Sequence, residues 1–150
     1  MKPEPLTPCA RERDLAPRLP HAYPFRMLDG AIMLEPGRWA VGMKNITRDD
    51  PLVDAEGALV PVLLAEAMAQ IAGLTASDAS DPASPAVLAQ IDRFRCHLPI
   101  VVGDRLLVVA RVVRRFGSTV KVRASVKVAG RFRAAAELVL HCPQAVQREQ

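Results

Sequence analysis

The stretch "ALVPVLLAEAMAQIAG", residues 58–73, restricts the fold of this chain more than any other. It is long enough for a helix, and its Ala, Leu, Met, Glu and Gln residues are good helix formers. Pro61 suits the first turn, where its missing N–H costs least, and Gly73 or the polar "SDASDPASP" ends the helix. Apolar side chains occur nearly all round it, so the helix must be surrounded by other structure rather than laid on a surface. One residue breaks the pattern. Glu66 is the only ionisable side chain between Glu56 and Asp78.

The second half of the chain supplies what would surround such a helix. In "VKVRASVKV", Val120, Val122, Ala124, Val126 and Val128 share one face, while Lys121, Arg123, Ser125 and Lys127 share the other. "GRFRAAAELVLHC" places Phe132, Ala134, Ala136, Leu138 and Leu140 together in the same way. Joined by the "RRFGS" and "VAGR" turns, these segments predict an antiparallel sheet with one face covered and one face wet. Upstream, apolar residues recur from Phe25 to Leu34, "EPGR" signals a turn, and "WAVGMKNIT" (39–47) reads as a strand. "RDDPLVDAEG" is polar and reads as loop. The sum is an α+β domain in which a sheet wraps one central helix. Residues 1–18 read as a polar, Pro-rich arm with a short helix near "RERDLA", 19–143 as a single domain and 144–150 as a tail.

At 150 residues the chain is large enough for one well-formed core. No apolar run approaches the ~18 residues that span a bilayer. "MKPEPLTPCARERD" lacks the apolar segment of a secretory signal, so the expectation is a cytoplasmic protein with no membrane association. Cys9, Cys96 and Cys142 are odd in number and far apart, which argues against a disulfide framework and a zinc site. Cys96 and Cys142 read as core fillers, and no metal or cofactor motif is present. The net charge of +4 is mild, and the basic residues have almost no aromatics among them. That weighs against a nucleic-acid partner and suits either a solvated face or an acidic protein partner.

Three blocks of the sequence resemble the FabZ-type 3-hydroxyacyl-acyl-carrier-protein dehydratases. "LPHAYPFRMLD" (19–29), continuing into "LEPG" and "KNIT", is similar to the opening region of that family. "VLLAEAMAQIAG" (62–73) is similar to its central helix, Glu included. "IDRFRCHLPIVVGDRL" (91–106) is similar to its strand and following turn, with Arg95, Pro99, Gly103 and Asp104 in matching places. The resemblance implies the hotdog fold, a curved antiparallel sheet around one long helix, and a homodimer or higher even-numbered oligomer whose helices sit back to back. It also implies acyl thioesters on acyl carrier protein or coenzyme A as substrates, within fatty-acid or polyketide-type metabolism.

One block departs from the family. Between the "KN" strand and the helix the family carries a loop of the type "GHFPxHPxMPG", whose first His is the catalytic base. Here the interval reads "RDDPLVDAEGALVP", which is shorter, contains no His, and has Pro61 where the family has a helix-opening Gly. The shortened loop also resembles hotdog dehydratase-like proteins of aryl polyene pathways.

Dehydrating a 3-hydroxyacyl thioester needs a base for the α-proton, an acid for the departing hydroxide, and N–H donors for the thioester oxygen. The resemblance implies that Glu66 moves a proton. Apolar neighbours Val62, Leu63, Met68 and Ala69 are expected to desolvate its carboxyl and favour the neutral acid. Gln70 lies one turn on and could orient it. Pro61 cannot donate an N–H, whereas Val62 and Leu63 can. The base is vacant, which typically costs roughly 10²–10⁴ in rate. His21 and His97 are the available imidazoles, with a structural role expected for the first and a solvated strand end for the second; His141 lies beside the tail. Phe25, Met68 and Phe94 are expected to wall an acyl tunnel. Two other readings stay open. A thioesterase can work with one helix carboxylate and no His. A non-catalytic, acyl-binding subunit could pair with an intact hotdog dehydratase.

Overall fold

The computed structural model describes residues 19–143 apart from Leu52, 78–85 and Leu98, and apart from the side chain of Met33. The arm and tail, with the helix expected near "RERDLA", lie outside the described residues. The elements run β1 (Gly30–Glu35), β2 (Trp39–Asn45), α1 (Val62–Ala76), β3 (Val87–Cys96), β4 (Arg105–Phe116), β5 (Thr119–Val128) and β6 (Arg131–His141). The strands form one antiparallel sheet in the order β1-β2-β4-β5-β6-β3, and α1 touches all six of them. A helix wrapped by an antiparallel sheet is the expected architecture. Among the described residues no helix is long and apolar enough to cross a membrane.

Alternation explains the packing. Val120, Val122, Ala124, Val126 and Val128 are all buried against the helix, beside Leu138 and Leu140 of β6 and Val108 of β4. Leu64, Met68 and Ile71 fill the core from the helix side. On β2 the helix comes so near that a Cβ at Gly42 would sit 3.1 Å from Ile71 Cδ1 and 3.2 Å from Leu28 Cδ1. An alanine there would require the Ile71 and Leu28 side chains to give way by a few tenths of an ångström.

Phe132 departs from the predicted face. A register irregularity where Val126 and Lys127 face β6 places Phe132 opposite Lys127 and turns it outward. It is 64% exposed, and the Lys127 ammonium lies 4.6 Å from its ring centre. The same outer face carries Glu137, whose carboxyl meets Lys121 at 2.7 Å, Arg93 at 3.1 Å and Arg123 at 3.2 Å. Hydrogen bonds from Lys121 and then Arg123 hold that carboxyl down at about 2. The wet face is therefore basic, and Glu137 gathers three of its cations.

The apolar run that opens at Phe25 becomes strand only at Gly30. Residues 22–26 instead form a tight turn in which the Phe25 and Arg26 N–H groups both donate to Ala22 O, beside a cis Tyr23–Pro24 bond. The "EPGR" turn forms as expected, with Gly37 at φ 77° and Glu35 accepting from Arg38 and the Trp39 indole. The loop before the helix is held by its own side chains. Asp54 accepts from the Glu56 and Ala58 N–H groups, and the Leu59 N–H donates to Ile100 O.

Candidate functional site at the open end of the helix

The sheet covers most of α1 but leaves one stripe bare. Val62 is 65% exposed, the Glu66 side chain 39%, and Ala69 and Gly73 continue the stripe at helical spacing. Glu66 is thus not enclosed by its sequence neighbours. Met68 is wholly buried in the core on the opposite side, and Val62 stands in the open beside the carboxyl. A single chain does not desolvate Glu66 in the way an apolar stretch of sequence suggests.

What fixes Glu66 is Gln70. This side chain is 2% exposed and makes three hydrogen bonds. Its Oε1 accepts from the Met27 N–H at 2.9 Å, and its Nε2 donates to Phe25 O at 2.7 Å and to Glu66 Oε1 at 2.9 Å. One amide therefore ties the 22–27 segment to the helix and aims the carboxylate. The same tie brings in His21, whose Nε2 lies 3.5 Å from Glu66 Oε1. His21 Nδ1 is buried with no hydrogen-bond partner among the described residues.

The helix start offers one free donor. Pro61 is the cap residue, already in helical geometry at φ −58° and ψ −37°, and no side chain caps the end. The Leu63 N–H donates to Val60 O and the Leu64 N–H to Pro61 O. Leu63 is therefore occupied. The Val62 N–H has no partner among the described residues, and it sits one turn before Glu66 on the same stripe. An anionic oxygen placed there would meet an unpaired donor and the positive end of the helix dipole.

The remaining expected residues scatter. Phe25 is 69% exposed in the turn rather than on a strand, with its carbonyl committed to Gln70. Phe94 on β3 packs against the core while remaining partly open. His97 follows β3, is exposed, and donates its backbone N–H to Arg133 O; it makes no contact with Glu66 or Gln70. A cleft of about 340 Å³ is lined by Tyr23, Arg26, Asp29, Lys44 and Asp50 among others. Neither His21 nor Glu66 lines it. Its chemistry is that of an ion-pair network, with Lys44 at 2.6 Å from Asp50 and 3.2 Å from Asp29. Burial disfavours the Lys44 ammonium, but the hydrogen bonds to Asp50 and Asp29 outweigh it and raise its pKa.

Sheet, helix and topology together define a hotdog fold, which the chain shares with solved structures of other proteins. No protein-family model matches the sequence. The chain is similar to the dehydratase heterocomplex ApeI:P from Xenorhabdus doucetiae, at 18% identity and a TM-score of 0.75, over 90% of this chain and 94% of that one. It is also similar to a mutant form of the phenylacetic acid degradation protein PaaI from Thermus thermophilus, at 22% identity and a TM-score of 0.62, over 75% and 91% of the two chains. A third likeness is to a hypothetical thioesterase from Streptococcus pneumoniae solved with coenzyme A, at 14% identity and a TM-score of 0.63, over 75% and 84%. At these identities the likeness is one of fold.

Proposed function

We propose that the chain acts on acyl thioesters at the open end of α1, with Glu66 as its proton-transfer group. The reaction favoured by the site is dehydration of a 3-hydroxyacyl thioester to the 2-enoyl product, with the acyl group carried on acyl carrier protein or coenzyme A. The observation that carries this reading is the Gln70 amide, a buried side chain that fixes the Glu66 carboxyl at 2.9 Å beside the unpaired Val62 N–H. A thioester oxygen accepting from Val62 would present its α- and β-carbons toward Glu66, one turn on. Gln70 acts here as a positioning residue. The reading extends to fatty-acid or polyketide-type metabolism, where such thioesters arise.

The working unit in this reading is a pair. Among the described residues β3 pairs with β6 alone and carries Val87, Leu88 and Ile91 at 55%, 36% and 41% exposure along the sheet edge. The apolar first half of that edge can serve as a template for another strand, whereas Asp92, Arg93 and a register irregularity blunt the second half. Pairing there with a second copy, or with a different hotdog subunit, would cover the edge and the bare helix stripe, and so dry the carboxyl; a structure to which the chain is similar is a dehydratase heterocomplex.

Thioester hydrolysis is the second reading. It is favoured by the loop 48–61, which brings no imidazole, and by a single helix carboxylate able to activate water. One experiment separates the two. The purified protein is incubated with a 3-hydroxyacyl thioester on carrier protein and on coenzyme A, and mass spectrometry follows loss of water against release of free acid. Glu66→Gln is expected to abolish either turnover while leaving the oligomer intact; unchanged turnover would overturn the assignment. Tight acyl binding with neither product would leave a binding subunit.

A further inference from the structure

We propose that His21 takes the place of the missing loop histidine, so that base and acid both come from one chain as a His21–Glu66 dyad; this rests on the thioester reading above. Three observations converge. The role is vacant, because the loop before the helix contains no His. His21 Nε2 stands 3.5 Å from Glu66 Oε1, a separation across which a proton can pass after a small movement of either side chain. And His21 Nδ1 is buried without a partner among the described residues, an arrangement that costs free energy and that packing alone does not explain.

The segment is held for this purpose from outside. Leu19 is buried, the 22–26 turn closes on Ala22 O, and Gln70 grips the chain at Phe25 and Met27. His21 therefore reaches Glu66 from a segment tied to the very amide that aims the carboxyl. Gln70 positions both partners.

With the shared proton on Glu66, the neutral His21 Nε2 removes the α-proton of a 3-hydroxyacyl thioester. The electron pair of that C–H bond passes through an enolate, whose oxygen accepts from the Val62 N–H, and becomes the α,β double bond. The β-carbon–oxygen bond breaks, and the leaving hydroxide takes the Glu66 proton and departs as water. Imidazolium and carboxylate remain side by side, and proton transfer between them restores both groups. The net change is loss of one water, with no external acid, base or oxidant.

Deuterium exchange divides the two roles. In deuterated water, with 3-hydroxyacyl-coenzyme A as the probe, Glu66→Gln is expected to lose dehydration yet still exchange the α-proton. His21→Ala and His21→Gln are each expected to lose both, by roughly 10²-fold or more in kcat with KM little changed. Added imidazole is expected to restore exchange to His21→Ala. A merely structural His21 would move none of these readouts selectively, and the melting curves of the two His21 variants identify any that simply fail to fold. Dehydration at the wild-type rate in either His21 variant, with Glu66→Gln inactive, overturns the dyad and leaves the thioester reading standing. Wild-type protein that yields neither enoyl product nor free acid overturns the reading itself. The pairing is then decided by the imidazole nitrogen resonances of His21, which a real dyad shifts on Glu66→Gln and which stay fixed if the two groups do not interact.

Discussion

The two ends of α1 are finished in opposite ways. At the C-terminal end the last carbonyls are met by several donors. The Gly37 N–H donates to Thr75 O, the Arg115 guanidinium donates to Ala76 O, and Ser77 donates both its N–H and its hydroxyl to Gly73 O. Arg115 also sets a positive charge against the negative end of the dipole, although it comes from β4 and no basic residue lies in the helix's own last turn. At the N-terminal end there is no side-chain cap, no acidic residue in the first turn and an unpaired Val62 N–H. One end is built for stability. The other is left unfinished, and Glu66, Gln70 and His21 gather beside it.

Gln70→Ala tests this contrast with the largest expected effect. It leaves the buried Met27 N–H without its acceptor, which typically costs about 1–3 kcal/mol, and frees the Glu66 carboxyl to rotate. A misplacement of order 1 Å in a proton-transfer group costs roughly 10²-fold in rate, so the loss of turnover should exceed anything explained by the loss of fold. Urea melting and kcat measured on the same preparation check this. A variant that melts early but turns over normally would show that Gln70 serves packing alone.

Arg115→Ala is the counterpart at the closed end. It removes a charge-assisted hydrogen bond to Ala76 O and should lower stability by about 1–2 kcal/mol. Turnover per folded molecule should not change. Equal losses of activity from Arg115→Ala and Gln70→Ala would erase the distinction between the ends.

The sequence was legible where one short period decided the outcome. The valines of β5 fall on the buried face because strand side chains alternate, and the Glu66–Gln70 contact follows from a spacing of one helical turn. It was not legible where pairing over distance decides. Met27 and Phe25 reach Gln70 across 43 and 45 positions, and it is this tie that sets His21 against Glu66. Phe132 faces out because of a register irregularity, which leaves no mark in the pattern of residues. Glu66 looked enclosed because its neighbours are apolar; which stripe of an all-apolar helix the sheet leaves bare is a property of the sheet.

Ser77→Ala is the smallest and most delicate test. The hydroxyl donates to Gly73 O at 2.7 Å, but the Ser77 N–H reaches the same oxygen at 3.0 Å, so the carbonyl keeps a partner when the hydroxyl is lost. The expected destabilisation is about 0.5–1 kcal/mol, read as a shift in urea midpoint with an unchanged slope. Gly73 also belongs to the bare stripe on which Glu66 lies, further along the helix. If the stripe were rigidly coupled from end to end, weakening the bond at Gly73 would reach the carboxyl and turnover would fall. If Gln70 isolates the site, as its three hydrogen bonds to separate groups imply, kcat stays at the wild-type value while the midpoint shifts. A loss of rate here would mean that the closed end tunes the open one, and that the helix acts as a single unit rather than as two independently finished ends.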